Sequence, residues 1–194
     1  MAIDKREALL AAAERAILAE GFAGASTRRI AQEAGVPLSL VHYHFGGKEG
    51  LLVALVERVR DRGHDQAMAV LADSGPPPAQ AAMALAAARN AFSRDEAGAR
   101  LLLEMAVAAL HNDRLRVEVD HLYIEAITTL GRTTASTAGK PGNGRMSPEA
   151  AASLLLAAGF GLTLQRMLGV EERAADEAFD ALGRMLVGAA PAHA

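Results

Sequence analysis

The chain has 194 residues, with 20 lysines and arginines against 23 aspartates and glutamates, and a formal charge of -3. It contains no cysteine, which excludes disulfide bonds, thiolate metal sites and a cysteine nucleophile. A charge this close to zero excludes a uniformly basic nucleic-acid-binding protein, although it allows a local basic face. Alanine, the strongest helix former, supplies 44 residues, so we expect a mostly α-helical protein.

The chain begins with a charged segment and an amphipathic helix. The first residues lack the apolar segment of a signal peptide, so we expect a cytoplasmic protein. Apolar residues recur at helical spacing from Arg6 to Glu20, which predicts the first helix. Gly21 follows at a position where helices commonly end.

Two short helices separated by a glycine-containing turn come next. The first is predicted over residues 27–34 with Ser26 or Thr27 as its cap, and the second ends at Phe45. Gly35 enters the turn, where a positive φ favours glycine. This arrangement is that of a helix-turn-helix, whose second helix can enter a DNA groove. An ordinary corner between two helices, with no ligand, is the alternative.

The rest of the chain predicts longer helices. One starts near Lys48, the run Gly75-Pro76-Pro77-Pro78 then breaks the chain, and residues 134–147 form a surface loop. The apolar run 150–165 is shorter than the roughly 20 residues of a membrane-spanning helix, so we expect a buried helix and no membrane association. With five further helices the total is about nine; those five are predicted over 79–93, 95–111, 114–133, 147–168 and 172–187.

The distribution of charge supports a division into two parts. Residues 1–60 carry 8 basic and 7 acidic side chains, a net charge of +1, whereas residues 61–194 carry 12 and 16, a net charge of -4. The two values sum to the charge of the whole chain. The part that contains the helix-turn-helix thus has a small excess of positive charge, and contact with DNA phosphates requires positive charge.

The segment around this motif resembles the TetR family of bacterial transcriptional regulators. The resemblance covers about residues 6–55 and depends on two runs of the sequence: Thr27-x-x-Ile30-Ala31-x-x-Ala34-Gly35-Val36 and Tyr43-His44-Phe45-x-x-Lys48-Glu49-x-Leu51-Leu52. It implies an all-α protein with an N-terminal three-helix helix-turn-helix DNA-binding domain over residues 1–50. A larger helical domain for ligand binding and dimerisation would occupy residues 51–194.

The resemblance also implies a function. We expect a ligand-responsive transcriptional regulator, a repressor that a small molecule releases from a palindromic operator, and a homodimer. The alternative is a helical small-molecule-binding or scaffold protein without DNA binding. No catalytic motif is present, so we expect neither an enzyme nor a cofactor. His42 and His44 are two residues apart on a helix and cannot face one metal ion, so no metal site is expected.

Particular residues are assigned to DNA by the resemblance, which implies that the Tyr43 hydroxyl and the Lys48 ammonium meet phosphates. The implied DNA-binding residues are Thr27, Arg28, Ser39, Leu40, His42, Tyr43, His44 and Lys48. Pro37, His42 and the Gly46-Gly47 pair depart from the commonest family pattern, so the operator sequence cannot be carried over.

Two further groups of residues are candidates in the second part of the chain. Apolar and polar helix residues that could line a ligand pocket are Phe92, Met105, His111, Tyr123, Ile127 and Phe160. Stripes of small and apolar residues near the C-terminus predict a dimer interface formed by Leu155, Gly159, Leu162, Phe179, Leu182 and Met185. The same stripes could instead form core within one chain. The effector, the operator and the direction of regulation are not encoded in any motif.

Overall fold

The computed structural model describes residues 4–73, 96–135, 146–170 and 172–187, and this part of the chain is helical, without strands. The all-α prediction is confirmed. The helix predicted over residues 79–93, which includes Phe92, lies outside the described residues. The eight described helices are α1 (Lys5–Gly24), α2 (Thr27–Glu33), α3 (Ser39–Phe45), α4 (Lys48–Asp73), α5 (Glu96–Ala109), α6 (Asp113–Ala135), α7 (Pro148–Met167) and α8 (Glu172–Val187).

Helix α1 is kinked near its C-terminal end. The Asp4 carboxylate caps its first turn by accepting a hydrogen bond from the Arg6 amide at 2.9 Å. Gly21 has φ +73° and ψ 171°, which interrupts the helix where its end was predicted, and a final turn then continues to Gly24. The chain therefore changes direction at Gly21.

Helices α2 and α3 form the predicted helix-turn-helix. The Ser26 hydroxyl caps α2 by accepting from the Arg29 amide at 3.3 Å. Gly35 has φ +67°, as predicted for the turn. Ile30, Ala31 and Val41 are buried at the contacts of these helices, because small and apolar side chains allow them to approach closely.

A close backbone approach connects α3 to α4. Gly46 and Gly47 have φ values of +74° and +139°, which favour glycine, and they separate the two helices. A Cβ atom at Gly50 would lie only 1.9 Å from the carbonyl oxygen of Phe45. Since backbone cannot yield as a flexible side chain does, Gly50 is required for α4 to start this close to the end of α3.

The described residues form two compact units. The first contains residues up to Arg62 together with Arg100–Leu122, and the second contains the remaining described residues. The first unit thus includes the helix-turn-helix and the segment of α5 and α6 that ends at Leu122. The domain boundary predicted after residue 50 stays a prediction.

Helices α7 and α8 pack together in the second unit. The Ser147 hydroxyl caps α7 by accepting from the Ala150 amide at 3.1 Å. Leu155 of α7 and Phe179 of α8 form a buried cluster. Four half-buried apolar residues pack against that cluster: Leu156, Phe160, Leu162 and Leu182.

The uncharged run 150–165 is part of a longer helix in the structure, and the expected absence of membrane association stays a prediction. Helix α7 has 20 residues and, by length and composition alone, could cross a membrane. It is longer than the uncharged run because Pro148, Glu149, Arg166 and Met167 also adopt helical structure. Its buried residues recur at helical spacing along one face, as in a helix packed against protein: Ala151, Ala152, Leu155, Gly159 and Thr163.

Candidate nucleic-acid interface

Helix α3 presents one buried face and one exposed face. Val41 is fully buried and anchors the helix. Ser39 and His42 are exposed, and the Tyr43 side chain is 80% exposed, which is high for a large aromatic residue. A tyrosine ring in water beside two other polar side chains can contact a DNA groove or a phosphate.

The C-terminal half of α3 carries a row of ring contacts. The rings of Tyr43 and His44 meet edge-on with centroids 5.0 Å apart, and His44 is 6.0 Å from Phe45. His44 and Phe45 are half-buried, as is Leu40. His44 and Leu40 therefore border the exposed face, whereas Ser39, His42 and Tyr43 form its centre.

Helix α2 contributes basic charge to the surface. Arg29 forms an ion pair with Glu20 at 2.9 Å, which leaves that charge largely compensated. Arg28 is exposed and forms no ion pair within the described parts of the chain, while Thr27 is half-buried at the start of the helix. Of the two arginines, Arg28 is thus better able to bind an incoming phosphate.

Lys48 is oriented toward protein. Its ammonium donates to the carbonyl oxygens of Phe22 at 3.1 Å and Ala23 at 3.3 Å. These carbonyls belong to the last turn of α1, where a cation is favoured by the helix dipole. An ammonium group has three N–H donors, so one donor remains for a phosphate. The phosphate contact implied by the resemblance stays a prediction.

Arg6 is a basic residue that the sequence analysis missed. Its guanidinium lies 5.5 Å from the centre of the Phe45 ring, although the two residues belong to α1 and α3. A positive charge is therefore placed at the C-terminal end of the candidate recognition helix. No spacing rule connects residues 39 positions apart, so only their packing reveals this pair.

Two of the predicted ligand-binding residues lie side by side. The rings of Tyr123 and Phe160 are 5.7 Å apart and tilted by 39°, and burial raises the pKa of Tyr123 above its ordinary value. Ile127 is half-buried on α6. Met105 is buried in the core of the first unit, and His111 is exposed in the turn after α5.

The predicted interface residues divide into two groups. Leu155, Gly159 and Phe179 are buried within the single chain, which fits the alternative that these stripes form intrachain core. Leu162 and Leu182 pack against that core, whereas Met185 is 81% exposed. Leu154 and Leu164, which were not selected from the sequence, are exposed on α7. The dimer interface stays a prediction, and these exposed residues are the better candidates for it.

Comparison with protein families identifies the helix-turn-helix segment. Residues 9–55 match the family described as "Bacterial regulatory proteins, tetR family". This range extends from the second turn of α1 into α4 and includes the whole exposed face of α3.

Curated relatives share a limited part of the chain. The HTH-type transcriptional regulator BetI of Rhizobium meliloti is 36% identical over 73 residues, which are 38% of this chain and 36% of that protein. BetI of Agrobacterium fabrum is 38% identical over 73 residues, 37% of this chain and 35% of that protein. The match thus spans about a third of the length of these relatives.

Solved structures resemble the chain over nearly its whole length. A transcriptional regulator from Rhodococcus has a TM-score of 0.74 at 24% identity and covers 97% of this chain and 99% of its own. A regulator from Saccharomonospora viridis, solved in complex with choline, has a TM-score of 0.77 at 18% identity and covers 91% and 93%. At such low sequence identity, the structural similarity establishes that the chain shares the fold of these proteins.

Proposed function

We propose that this chain, which belongs to the TetR family of bacterial regulatory proteins, is a cytoplasmic repressor that a small molecule releases from a palindromic DNA operator. The exposed face of α3 carries this proposal. Ser39, His42 and Tyr43 lie in solvent directly after the turn of the helix-turn-helix, Arg6 lies over the Phe45 ring at the end of α3, and Arg28 is an exposed basic residue on α2. Helices used to read the major groove present such a face.

Two kinds of DNA contact are proposed for this surface. Ser39, His42 and Tyr43 lie where base edges or the adjacent backbone would be met, with Leu40 and His44 at the border. Four groups would contact phosphates: the side chains of Arg28 and Arg6, the start of α2 at Thr27, and the remaining N–H donor of Lys48. The phosphate contacts position the protein and the α3 side chains select the sequence.

A palindromic operator requires two copies of the chain. Two recognition helices read successive major grooves when they are about 34 Å apart, which a twofold dimer provides. We assign the interface to the exposed apolar side chains of α7 and α8, namely Leu154, Leu164 and Met185, on the core that Leu155 and Phe179 form. Burying such exposed side chains between two chains stabilises a dimer.

The effector is proposed to bind beside the ring pair of Tyr123 and Phe160. Both side chains are half-buried, and Ile127 adds apolar surface on the same helix as Tyr123. Aromatic faces attract organic cations. Because the Saccharomonospora viridis regulator binds choline, choline is the first compound to test here. An effector releases the operator to the extent that it prefers the state that does not bind DNA.

The function is tested by selecting bound fragments from genomic DNA with the purified full-length protein and sequencing them. We expect enrichment of a short palindrome, with retention lost in a Tyr43→Ala variant that stays folded and dimeric. Absence of any enriched sequence would favour the alternative of a helical binding or scaffold protein without DNA binding. Choline is then titrated into the protein–operator complex, and release of DNA would support the assigned effector class.

A further inference from the structure

The Gly21 corner of α1 is contacted by an acidic side chain that is distant in sequence. A carboxylate oxygen of Glu104, on α5, accepts a hydrogen bond from the Phe22 amide at 3.1 Å, across 82 residues of sequence. Both residues belong to the first compact unit. The kink at Gly21 frees this amide from the helix, and the carboxylate supplies the acceptor that it needs.

Lys48 binds the same residue through its carbonyl group. The Phe22 amide donates to Glu104, and the Phe22 carbonyl accepts from the Lys48 ammonium at 3.1 Å. A carboxylate and an ammonium thus bind the amide and the carbonyl of one residue, and each charge-assisted hydrogen bond is stronger than a neutral one.

Glycine at position 21 is favoured by its backbone conformation, and Glu104 packs against the same position. Its φ of +73° is a conformation that other residues rarely adopt. A Cβ atom there would also lie 3.5 Å and 3.7 Å from the two Glu104 carboxylate oxygens, so the carboxylate packs directly on the corner. The corner is thus shaped by contact with α5 as well as by the end of α1.

This series of contacts leads from α5 to the recognition helix. Glu104 holds the Phe22 amide, the Phe22 carbonyl holds Lys48, and Lys48 is the first residue of α4. Only Gly46 and Gly47 separate Lys48 from the end of α3. A connection of two glycines with positive φ is flexible by itself. Side-chain contacts at the start of α4 therefore matter for the placement of α3.

We propose that Glu104 is a positioning residue for DNA binding. It touches no DNA; it holds the Phe22 peptide so that Lys48 and the start of α4 set α3 in its binding orientation. The proposal rests on the proposed function, because it concerns the affinity for the operator. A purely structural role would instead affect folding alone and leave operator affinity unchanged.

Two conservative variants separate the hydrogen bond from the charge. Glu104→Gln removes the charge but keeps an oxygen acceptor at the same reach, whereas Glu104→Asp keeps the charge but shortens the side chain by one methylene. Asp120→Asn is the matched control, because Asp120 is exposed on α6 in the same unit and loses the same charge. All variants are made in the full-length protein and compared at equal folded fraction.

Operator affinity is measured over a salt series, and exchange of the Phe22 amide is followed by NMR. We expect Glu104→Asp to bind operator roughly fivefold to tenfold more weakly, with an unchanged salt slope because no phosphate contact is lost. Its Phe22 amide should exchange faster than that of wild type. Asp120→Asn should bind within about twofold of wild type, and Glu104→Gln should lose less affinity than Glu104→Asp, since it keeps the acceptor at the same reach without the charge.

Several results would overturn the assignment. Unchanged operator affinity in Glu104→Asp together with faster Phe22 exchange would show that the contact is structural only. A larger loss in Glu104→Gln than in Glu104→Asp would assign the effect to charge rather than to the reach of the hydrogen bond, because the aspartate keeps the charge and the glutamine does not. Failure of the wild-type protein to bind any selected DNA is a different outcome, which refutes the proposed function itself.

Discussion

Single residues in this protein have roles that their type alone does not reveal. Positions 35 and 50 lie on either side of the candidate recognition helix α3. Each is occupied by glycine, but for a different reason. Gly35 has a positive φ in the turn, which the helix-turn-helix spacing predicts. Gly50 lies inside α4, where glycine is ordinarily unfavourable, and is required by the Phe45 carbonyl. The spacing of the sequence indicates the first role and is silent on the second.

Replacing Gly50 by alanine should destabilise the protein. The added Cβ would lie 1.9 Å from the Phe45 carbonyl oxygen, so α3 and α4 must separate. We expect the free energy of unfolding to fall by about 2 kcal/mol, as for other overpacked sites. Gly63→Ala is the matched control on the same helix, because its Cβ meets nothing within 4 Å. That variant should gain up to about 1 kcal/mol from helix propensity. Urea unfolding measures both, and similar effects in the two variants would contradict the steric explanation.

Tyr123 should make stability depend on alkaline pH. Burial raises its pKa in the folded protein above the ordinary value of about 10, so the folded state keeps its proton when the unfolded state has lost it. The contribution of protonated Tyr123 to the free energy of unfolding is therefore complete below pH 10, and it is lost as the pH rises through the folded-state pKa. Tyr123→Phe keeps the ring without the titrating hydroxyl. Urea unfolding at a series of alkaline pH values should show a steeper decline for wild type, and parallel curves would refute this origin.

At the scale of helices, the sequence predicts where a helix begins and ends better than it predicts what covers each of its faces. Ser26 and Ser147 cap α2 and α7, and Gly46 ends α3, each at a position that the sequence indicates. The stripes of α7 and α8 were harder to interpret. Leu155 and Phe179 are buried inside one chain, while Met185 on the same pair of helices is exposed. Helical spacing shows which residues share a face but not what covers that face.

A charge at Met185 should weaken the proposed dimer. Met185→Glu would place a carboxylate in an apolar interface, where its desolvation is unfavourable. We expect the dissociation constant of the dimer, measured by sedimentation equilibrium, to rise by roughly tenfold or more. Leu110→Glu is the control, since Leu110 is 76% exposed in the turn after α5, compared with 81% for Met185. Equal dissociation constants for the two variants would place the interface elsewhere.

At the scale of the whole molecule, net charge conceals the charge distribution. The chain carries -3 overall, but Arg28 is exposed on α2 and Arg6 lies over the Phe45 ring at the end of α3. Other charges near the motif are neutralised by partners, as in the pairs Arg15–Glu33 and Arg29–Glu20. Local pairing therefore decides which basic groups a phosphate can reach, and a charge count cannot show it.

Operator affinity should fall with rising salt, and Arg28 should account for a defined part of that fall. Each phosphate neutralised contributes about -0.9 to the slope of log K against log salt. Arg28→Ala should therefore reduce the slope by roughly two for a dimer with one contact per subunit. Arg173→Ala is the control, because Arg173 is exposed on α8 and paired with Glu177 at 2.8 Å. A slope unchanged by Arg28→Ala would remove this residue from the phosphate contacts.

The sequence by itself determined the helical class, the helix-turn-helix and most helix ends. These features depend on interactions over a few residues: caps, glycine φ angles and the period of the apolar positions. Only the tertiary structure decided that Arg6 reaches Phe45, that Lys48 turns its ammonium toward α1, and that Glu104 holds Phe22. Those contacts join residues 26 to 82 positions apart, and packing of whole helices sets them. Local propensities carry no information about such pairs.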